Sequence, residues 1–269
     1  MNRFLENVVE MKREEVALKR RRYRINELEC RASRYPVRDF RASVSGDGPG
    51  SVIAEIKKKS PTVTRFLQNG NVERLAEIYQ TNGAAAISIV ADEPNFGTSL
   101  GDVERVRNRT RLPILVKEFV IDGLQILEAR ASGADAVLLI ARILEPDQME
   151  RLLDLTRVLG MSALVECHDE ADVERALTVR APIIGINNRD LESLTVSLET
   201  TRRLLPRIPE DKVRVSESGI STRQDIETLR GLGVNAFLIG GALLGSGDPA
   251  ALLRDLTGSG GKSGGGRRP

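Results

Sequence analysis

Short apolar runs alternate along the chain with longer segments of helical periodicity. The runs are nearly continuous in aliphatic residues, which is typical of parallel strands that are covered on both faces. They predict eight strands, at residues 52–57, 85–91, 114–117, 136–140, 162–166, 183–187, 213–217 and 236–239. Because helical segments lie between them, the chain is expected to be a series of βα units.

The segments between the runs carry the apolar faces and the start signals of helices. A capping sequence at 221–224 and the prolines Pro146 and Pro249 indicate three helix starts. Eight serial units favour a closed barrel over an open doubly wound sheet. We therefore expect an α/β fold, a single (β/α)8 TIM barrel, with an extra N-terminal helix over about 3–20. One helical face is shared by Val72, Leu75, Ala76 and Tyr79.

The end of the chain differs in composition from the rest. Residues 258–269 include six glycines and two serines and no large apolar side chain. Such a segment cannot bury a core, so we expect a disordered tail at 258–269. The remaining residues, 1–257, are expected to form one catalytic barrel domain, since their length is typical of this architecture.

The composition of the 269 residues excludes several classes of function. The 40 basic and 38 acidic residues give a net charge of +2, which argues against a dedicated nucleic-acid binder. Two cysteines and one histidine cannot form a disulfide framework or a typical zinc site. No apolar run is long enough to cross a bilayer, and the first residues lack the apolar stretch of a secretory signal. We therefore expect a cytoplasmic protein that binds neither nucleic acid nor membrane.

Polar side chains follow the predicted strands at their carboxyl ends, where barrel enzymes carry their chemistry. Glu55 and Lys57 share one side of the first strand because side chains alternate along a strand. Charges directed into a barrel are costly unless they are paired or functional, so their convergence predicts a catalytic site at the mouth. Further polar residues end later strands, at Lys117, Glu166, Asn187, Arg189 and Glu217.

Glycines follow the last two predicted strands. Gly219 comes after the seventh strand, and Gly240 and Gly241 come after the eighth. Loops at these positions of a barrel often bind phosphate through backbone N–H groups and the start of a short helix. The pattern predicts a phosphate site, although glycines are also common in ordinary turns.

Six segments in colinear order resemble the indole-3-glycerol-phosphate synthase family of tryptophan biosynthesis. They are AEIKKKSP at 54–61, DEPNFG at 92–97, ILVKEF at 114–119, LVECHDE at 164–170, IGINNRDL at 184–191 and SESGI at 216–220. The resemblance extends from the first helix to about residue 256. It implies a carboxy-lyase that converts 1-(2-carboxyphenylamino)-1-deoxyribulose 5-phosphate to indole-3-glycerol phosphate, carbon dioxide and water, with no cofactor and no metal.

The resemblance also implies three catalytic residues. Lys117 is similar to the general acid that protonates the substrate's ketone oxygen, and Lys57 to a second catalytic lysine near the substrate carboxylate. Glu166 is similar to the base or electrostatic partner of the anilino nitrogen. These residue types suit the chemistry, because an ammonium can make a carbonyl electrophilic by donating a proton.

The substrate-binding residues are implied in the same way. Phosphate contacts are expected at Gly219, Gly240 and Gly241, because helix N-termini and backbone N–H groups suit such anions. The expected partner is a small phosphorylated substrate. The chain is expected to be a monomer, with other tryptophan-pathway enzymes as candidate partners. The other parts of the substrate are expected to contact Glu55, Ser60, Phe119, Asn187, Arg189 and Ser218.

Three features depart from the family pattern. Residues 62–65 read Thr-Val-Thr-Arg where the family usually has Ser-Lys-Gly, in a long first loop that we expect to act as a mobile lid. Gly241 stands where family members often have serine or glutamate, so a backbone contact survives there and a side-chain contact does not. The tail at 258–269 has no counterpart.

Two alternatives stay open. A related phosphate-binding barrel, such as phosphoribosylanthranilate isomerase, would need a Cys and Asp acid–base pair, which is not evident here. A catalytically altered paralogue could bind a similar ligand, although both lysines and Glu166 are retained. We expect no chemical role for His168, a buried apolar role for Cys167, and a solvated helix end for the basic run at 19–24.

Overall fold

The computed structural model describes residues 3–22, 24–46, 51–60, 66 and 71–259. The expected lid at 62–65 and residues 260–269 of the expected tail lie outside the described residues. The division into a barrel domain and a tail therefore stays a prediction. Within the described ranges, no helix is both long and apolar enough to cross a bilayer.

Eight parallel strands of the described residues close into a barrel, in which each strand pairs with the next in sequence. The ring is completed by pairing of the first and last strands, with Ala54 opposite Ile239. The predicted (β/α)8 TIM barrel is confirmed, and each predicted strand lies within one residue of its observed bounds at either end. The strands are β1 (Ser51–Ile56), β2 (Ala86–Val90), β3 (Ile114–Lys117), β4 (Ala136–Ile140), β5 (Ser162–Cys167), β6 (Ile183–Asn187), β7 (Val213–Glu217) and β8 (Ala236–Ile239).

Helices precede the barrel and connect its strands. Short 3₁₀ turns follow β4 at Ala141–Ile143 and precede β7 at Leu205–Arg207. The helices are α1 (Arg3–Arg22), α2 (Ile25–Ala32), α3 (Phe40–Val44), α4 (Val72–Thr81), α5 (Glu93–Phe96), α6 (Leu100–Arg107), α7 (Gly123–Ala131), α8 (Pro146–Val158), α9 (Glu170–Thr178), α10 (Glu199–Leu204), α11 (Arg223–Gly231), α12 (Gly241–Gly245) and α13 (Pro249–Thr257).

The segment before β1 contains more helix than the sequence predicted. The first helix extends slightly past its expected end, and α2 and α3 follow it. Both are too short for their apolar pattern to predict a helix, and such short helices depend on tertiary packing. Asp39 caps α3 by accepting a hydrogen bond from the Ala42 N–H at 2.8 Å. The described residues before β1 thus form three helices rather than the expected one.

Two of the three predicted helix starts are confirmed, and the third is wrong by one residue. Pro146 opens α8 and Pro249 opens α13. The capping box of α11 is formed by Thr222 and Asp225 rather than by the ends of 221–224. The Thr222 hydroxyl accepts from the Asp225 N–H at 3.1 Å, and the Asp225 carboxylate accepts from the Thr222 N–H at 2.9 Å. The shift arises because α11 begins one residue later than expected, which makes Thr222 the N-cap.

Aliphatic side chains fill both the barrel interior and the layer between strands and helices. The interior cluster takes alternate strand positions, among them Ile53, Leu115 and Leu164. Phe40 and Val44 of α3 are fully buried in the same cluster, below the strands. Because side chains alternate, the next inward positions along the strands belong to the polar residues of the mouth. The outer layer contains the predicted α4 face, Val72, Leu75, Ala76 and Tyr79.

Candidate active site

Inward-facing polar residues of several strands meet at the carboxyl end of the barrel. The glutamates and the asparagine are buried, whereas both lysines keep part of their surface exposed. Because water is partly excluded from the mouth, the interactions between these charges are stronger than they would be in bulk water. The residues are Glu55 of β1 with Lys57 just after it, Lys117 of β3, Glu166 of β5, Asn187 of β6 and Glu217 of β7.

Lys117 lies between two carboxyl groups. Its Nζ donates to Glu166 Oε2 at 2.5 Å and to Glu217 Oε2 at 3.0 Å. Burial lowers the pKa of Lys117, but the carboxyl groups around it, with Glu166 first, outweigh burial and raise it above its ordinary value. The side chain is therefore a charged ammonium at neutral pH.

The two carboxyl groups beside Lys117 differ in protonation. Burial raises the pKa of Glu166, but the Lys117 ammonium overcomes it and holds that pKa at about 2. Burial raises the pKa of Glu217 to about 8, because Lys117 only partly opposes it and the Glu166 carboxylate adds to it. One ammonium compensates one carboxylate, so the second carboxyl keeps its proton at neutral pH. The site thus holds a carboxylate and a carboxylic acid side by side.

Lys57 forms a second ion pair at the mouth, at the end of β1. Its Nζ donates to Glu55 Oε1 at 2.5 Å and lies 5.8 Å from the centre of the Phe66 ring, within cation–π distance. Burial raises the pKa of Glu55, but the ammonium groups of Lys57 and Lys117 more than offset this and lower it. The ion pair keeps Lys57 at the end of β1, beside the Lys117 cluster.

The loop after β6 orients Asn187 toward Glu166. The Asn187 side-chain oxygen accepts from the Arg189 N–H at 3.0 Å, and the Asn187 side chain helps to lower the pKa of Glu166. The Arg189 guanidinium donates to the Leu194 carbonyl at 3.1 Å, so it is held within its own loop. The backbone therefore fixes which end of the Asn187 amide faces the carboxylate.

The remaining predicted contacts border the mouth. Ser218 has a φ of +66°, a strained conformation for a serine, and its carbonyl accepts from Asn188 Nδ2 at 3.0 Å. Phe119 is half-buried and packs on the interior cluster, and Ser60 is half-buried at the end of a described range. The structure thus brings the predicted substrate-binding residues to one rim.

The predicted phosphate glycines lie in two different environments. Gly240 precedes α12, and a Cβ there would lie 2.2 Å from Glu55 Oε1, so only glycine fits. Gly241 opens α12, and a Cβ there would meet nothing within 4 Å. A bulky residue at position 240 would therefore disturb Glu55 as well as any phosphate, whereas position 241 has room for a side chain.

Helix α1 is tied to the rim by a buried lysine. Lys12 Nζ lies 3.0 Å from Glu118 Oε2 and 3.3 Å from Asp92 Oδ1, which follow β3 and β2. Burial raises the pKa of Glu118 to about 7, and Lys12 opposes that shift. Glu118 also accepts from the Phe119 N–H at 2.7 Å. Lys12 therefore connects α1 to the residues that flank Lys117.

The basic run at 19–24 is not merely solvated, so that expectation is wrong in part. Lys19 Nζ lies 3.0 Å from the buried Glu128, and Arg20 lies 2.7 Å from Asp122. Both pairs hold α1 against α7 and its N-cap. The apolar role predicted for Cys167 is confirmed, since its side chain is fully buried in the outer layer. The described residues contain no group of three or more His, Cys, Asp or Glu side chains arranged to hold a metal ion.

Comparison with known proteins decides the family. A family profile described as indole-3-glycerol phosphate synthase matches residues 5–256. The chain belongs to this family. The resemblance carried by the six segments is therefore confirmed, and the isomerase alternative loses its support.

Curated relatives of the same name match most of the chain. The protein of Desulforamulus reducens is 44% identical over 228 residues, covering 84% of this chain and 86% of that one. The protein of Burkholderia vietnamiensis is 40% identical and covers 94% and 98%, and that of Albidiferax ferrireducens is 42% identical and covers 95% and 98%.

Solved structures of low sequence identity share the fold. An N-acetylmannosamine-6-phosphate 2-epimerase from Clostridium perfringens aligns with a TM-score of 0.60 at 15% identity, covering 77% of this chain and 92% of that one. A thiamine phosphate pyrophosphorylase from Pyrococcus furiosus aligns with a TM-score of 0.58 at 16% identity, covering 81% and 96%. At such identities these similarities show the barrel fold alone.

Two residues of the synthase-family site were absent from the predicted set. Glu217 contacts Lys117 directly, and its inward position at the end of β7 was visible in the strand pattern. Lys12 carried no sequence signal of its site, because its partners on the rim, Asp92 and Glu118, are about eighty or more residues away along the chain. Only the packing of α1 on the rim brings it there.

Proposed function

We propose that the chain catalyses ring closure of 1-(2-carboxyphenylamino)-1-deoxyribulose 5-phosphate to indole-3-glycerol phosphate, releasing carbon dioxide and water. The observation that carries the proposal is the Lys117 ammonium, held between Glu166 and Glu217 at the mouth of the barrel. Membership of the synthase family supports the same reaction. The enzyme is then a carbon–carbon lyase of the carboxy-lyase class, and we propose that it acts in the cytoplasm.

Lys117 is the proposed acid of ring closure. The ring carbon that carries the carboxylate forms a bond to the ketone carbon, and the ketone oxygen takes a proton from Nζ to become a hydroxyl. The two carboxyl groups raise the pKa of Lys117 in the free enzyme, which opposes proton transfer. A ketone oxygen that replaces one carboxyl contact removes part of that stabilisation and makes the ammonium a stronger acid.

Lys57 and Glu166 act in the later steps of this proposal. Loss of carbon dioxide returns the bonding electrons to the ring, and Lys57, beside the carboxylate, then protonates the departing hydroxyl. The carboxylate of Glu166 stabilises positive charge at the anilino nitrogen and accepts the proton lost as the indole double bond forms. Its low pKa keeps it ionised at neutral pH, which suits the electrostatic role, and loss of its contact with Lys117 on substrate binding would raise that pKa and make it a stronger base.

The rim residues hold the substrate in this scheme. Contacts to its hydroxyls, ring and carboxylate come from Glu55, Ser60, Phe119, Asn187, Arg189 and Ser218. Backbone N–H groups of Gly219, Gly240 and Gly241 hold the phosphate. A monomer with no cofactor is sufficient for this chemistry, because every proton transfer has a side chain at hand.

A turnover assay tests the proposal. Purified protein is mixed with the anthranilate-derived ribulose phosphate, and indole absorbance is followed against time. Lys117→Met should lower kcat by about 10²–10⁴ while product binding survives, and Lys212→Met serves as a control outside the mouth. Absence of indole formation by folded wild-type protein would overturn the function. Ring closure by Lys117→Met at a near wild-type rate would overturn the role of Lys117.

A further inference from the structure

His168 is a buried titratable group that the proposed mechanism does not use. It is the only histidine of the chain and follows β5 directly, two residues after Glu166. Its side chain is 4% exposed. The ring lies between two carboxylates, with Nε2 3.3 Å from Glu166 Oε1 and Nδ1 3.7 Å from Asp172 Oδ2.

The carboxylate of Asp172, on the side of the imidazole opposite Glu166, is held in place by hydrogen bonds. Asp172 Oδ2 accepts from Arg142 Nε at 3.0 Å and from the His168 backbone N–H at 3.0 Å. Arg142 also donates to Asp169, the N-cap of α9. Asp172 is therefore held by a side chain that follows β4 and by a backbone N–H that follows β5.

Buried ring nitrogens require hydrogen-bond partners. Within the described residues, neither nitrogen of His168 makes a hydrogen bond to any other group. The two carboxylates are the acceptors in reach, and catalytic hydrogen bonds are often long before substrate binds. Lys117 already occupies Glu166 Oε2, so a hydrogen bond from Nε2 would engage the other oxygen and fix the plane of the carboxylate.

We propose that His168 is a positioning residue that orients the Glu166 carboxylate toward the anilino nitrogen of the substrate. The inference rests on the proposed function for the step that Glu166 performs. Nε2 donates to Glu166 Oε1, while Asp172, locked by Arg142, aligns the ring from the opposite side. A continuous polar path then joins Arg142 to Lys117 across the end of β5.

Two substitutions separate positioning from packing. His168→Leu keeps the apolar volume and removes the donor, whereas His168→Gln keeps an N–H that can reach Glu166. We expect the leucine variant to lose about 10-fold or more in kcat with KM within about 2-fold of wild type, as for loss of a hydrogen bond to a charged group. The glutamine variant should recover a large part of that loss. Cys167→Ala, a buried neighbour that faces the outer layer, should keep wild-type kcat.

A crystal structure of each variant provides a readout that does not depend on turnover. In wild type, the Glu166 carboxylate should adopt one orientation with Oε1 toward His168, and in His168→Leu it should rotate or occupy several. Wild-type protein without synthase activity would overturn the proposed function, and the structures would still decide the positioning. A folded His168→Leu variant with unchanged kcat, or with Glu166 unmoved, would show that the imidazole only packs.

Discussion

Glu217→Gln isolates the energetic cost of placing a second carboxyl beside Lys117. In the folded protein the pKa of Glu217 is raised to about 8 from an ordinary value of 4.5, chiefly because it is buried. Between these two pH values the folded chain binds more protons than the unfolded chain, so the free energy of unfolding falls as pH rises. Glutamine has nearly the same shape as the protonated acid and does not titrate.

The size of this fall in the free energy of unfolding follows from the two pKa values of Glu217, folded and unfolded. Between the two pKa values, the free energy of unfolding falls by up to about 1.4 kcal/mol for each pH unit. The total decrease is on the order of 5 kcal/mol. That loss is absent below pH 4.5 and complete only above pH 8. We therefore expect the stability of Glu217→Gln relative to wild type to improve by several kcal/mol between pH 5 and pH 9.

Urea unfolding curves at several pH values provide the measurement. The exposed Glu210→Gln is the matched control, because it makes the same change at a carboxyl that lies on the surface. The difference between the variant and wild type reports Glu217 together with the groups coupled to it, Lys117 and Glu166. A difference between Glu217→Gln and wild type that stays constant within about 1 kcal/mol from pH 5 to pH 9 would refute the assignment of a protonated Glu217.

Three further predictions use the same structure. Lys12→Met leaves the carboxyl groups of Asp92 and Glu118 without their buried lysine, so the free energy of unfolding, measured by chemical denaturation, should fall by about 3–5 kcal/mol. A decrease below about 1 kcal/mol would contradict the importance of these buried ion pairs. Gly241→Ala should keep a near wild-type kcat/KM, whereas Gly240→Ala should lose most of it because the added Cβ collides with Glu55. Equal effects of the two variants would contradict the difference in the space around the two glycines. Truncation after Ser259, which keeps the α13 cap, should leave Tm and kcat unchanged, and a drop in either would show that the tail docks.

The strands were predictable because each is a short aliphatic run, and several have a polar residue at or just after the carboxyl end. Lys57, Lys117 and Glu166 followed from that alternation together with the family resemblance. Glu217 met the same rule, but a single acidic residue at a strand end is equally typical of a solvated charge. Its role depends on sharing Lys117 with Glu166, a three-body arrangement across β3, β5 and β7 that no local pattern encodes.

The N-terminal helices and the role of His168 were beyond sequence reasoning for a different reason. α2 and α3 are short and gain their stability from the surfaces they cover rather than from their own periodicity. His168 follows a strand, where a polar residue is ordinarily a turn residue. Its ring lies against Asp172 of α9, which Arg142 contacts from the turn after β4. Such contacts are decided by how the units pack.

The burial of Phe40 and Val44 in the barrel interior has a consequence for how substrate and products reach and leave the site. These side chains are fully buried and extend the aliphatic cluster that fills the barrel interior, so the barrel is a packed core rather than a pore and the substrate of the proposed reaction reaches the site at the mouth. Under the proposed reaction, carbon dioxide, water and the indole product must then depart by the route through which the substrate arrived. A downstream enzyme that received the product without its release to bulk water would have to dock over the mouth, on the rim that α1 borders.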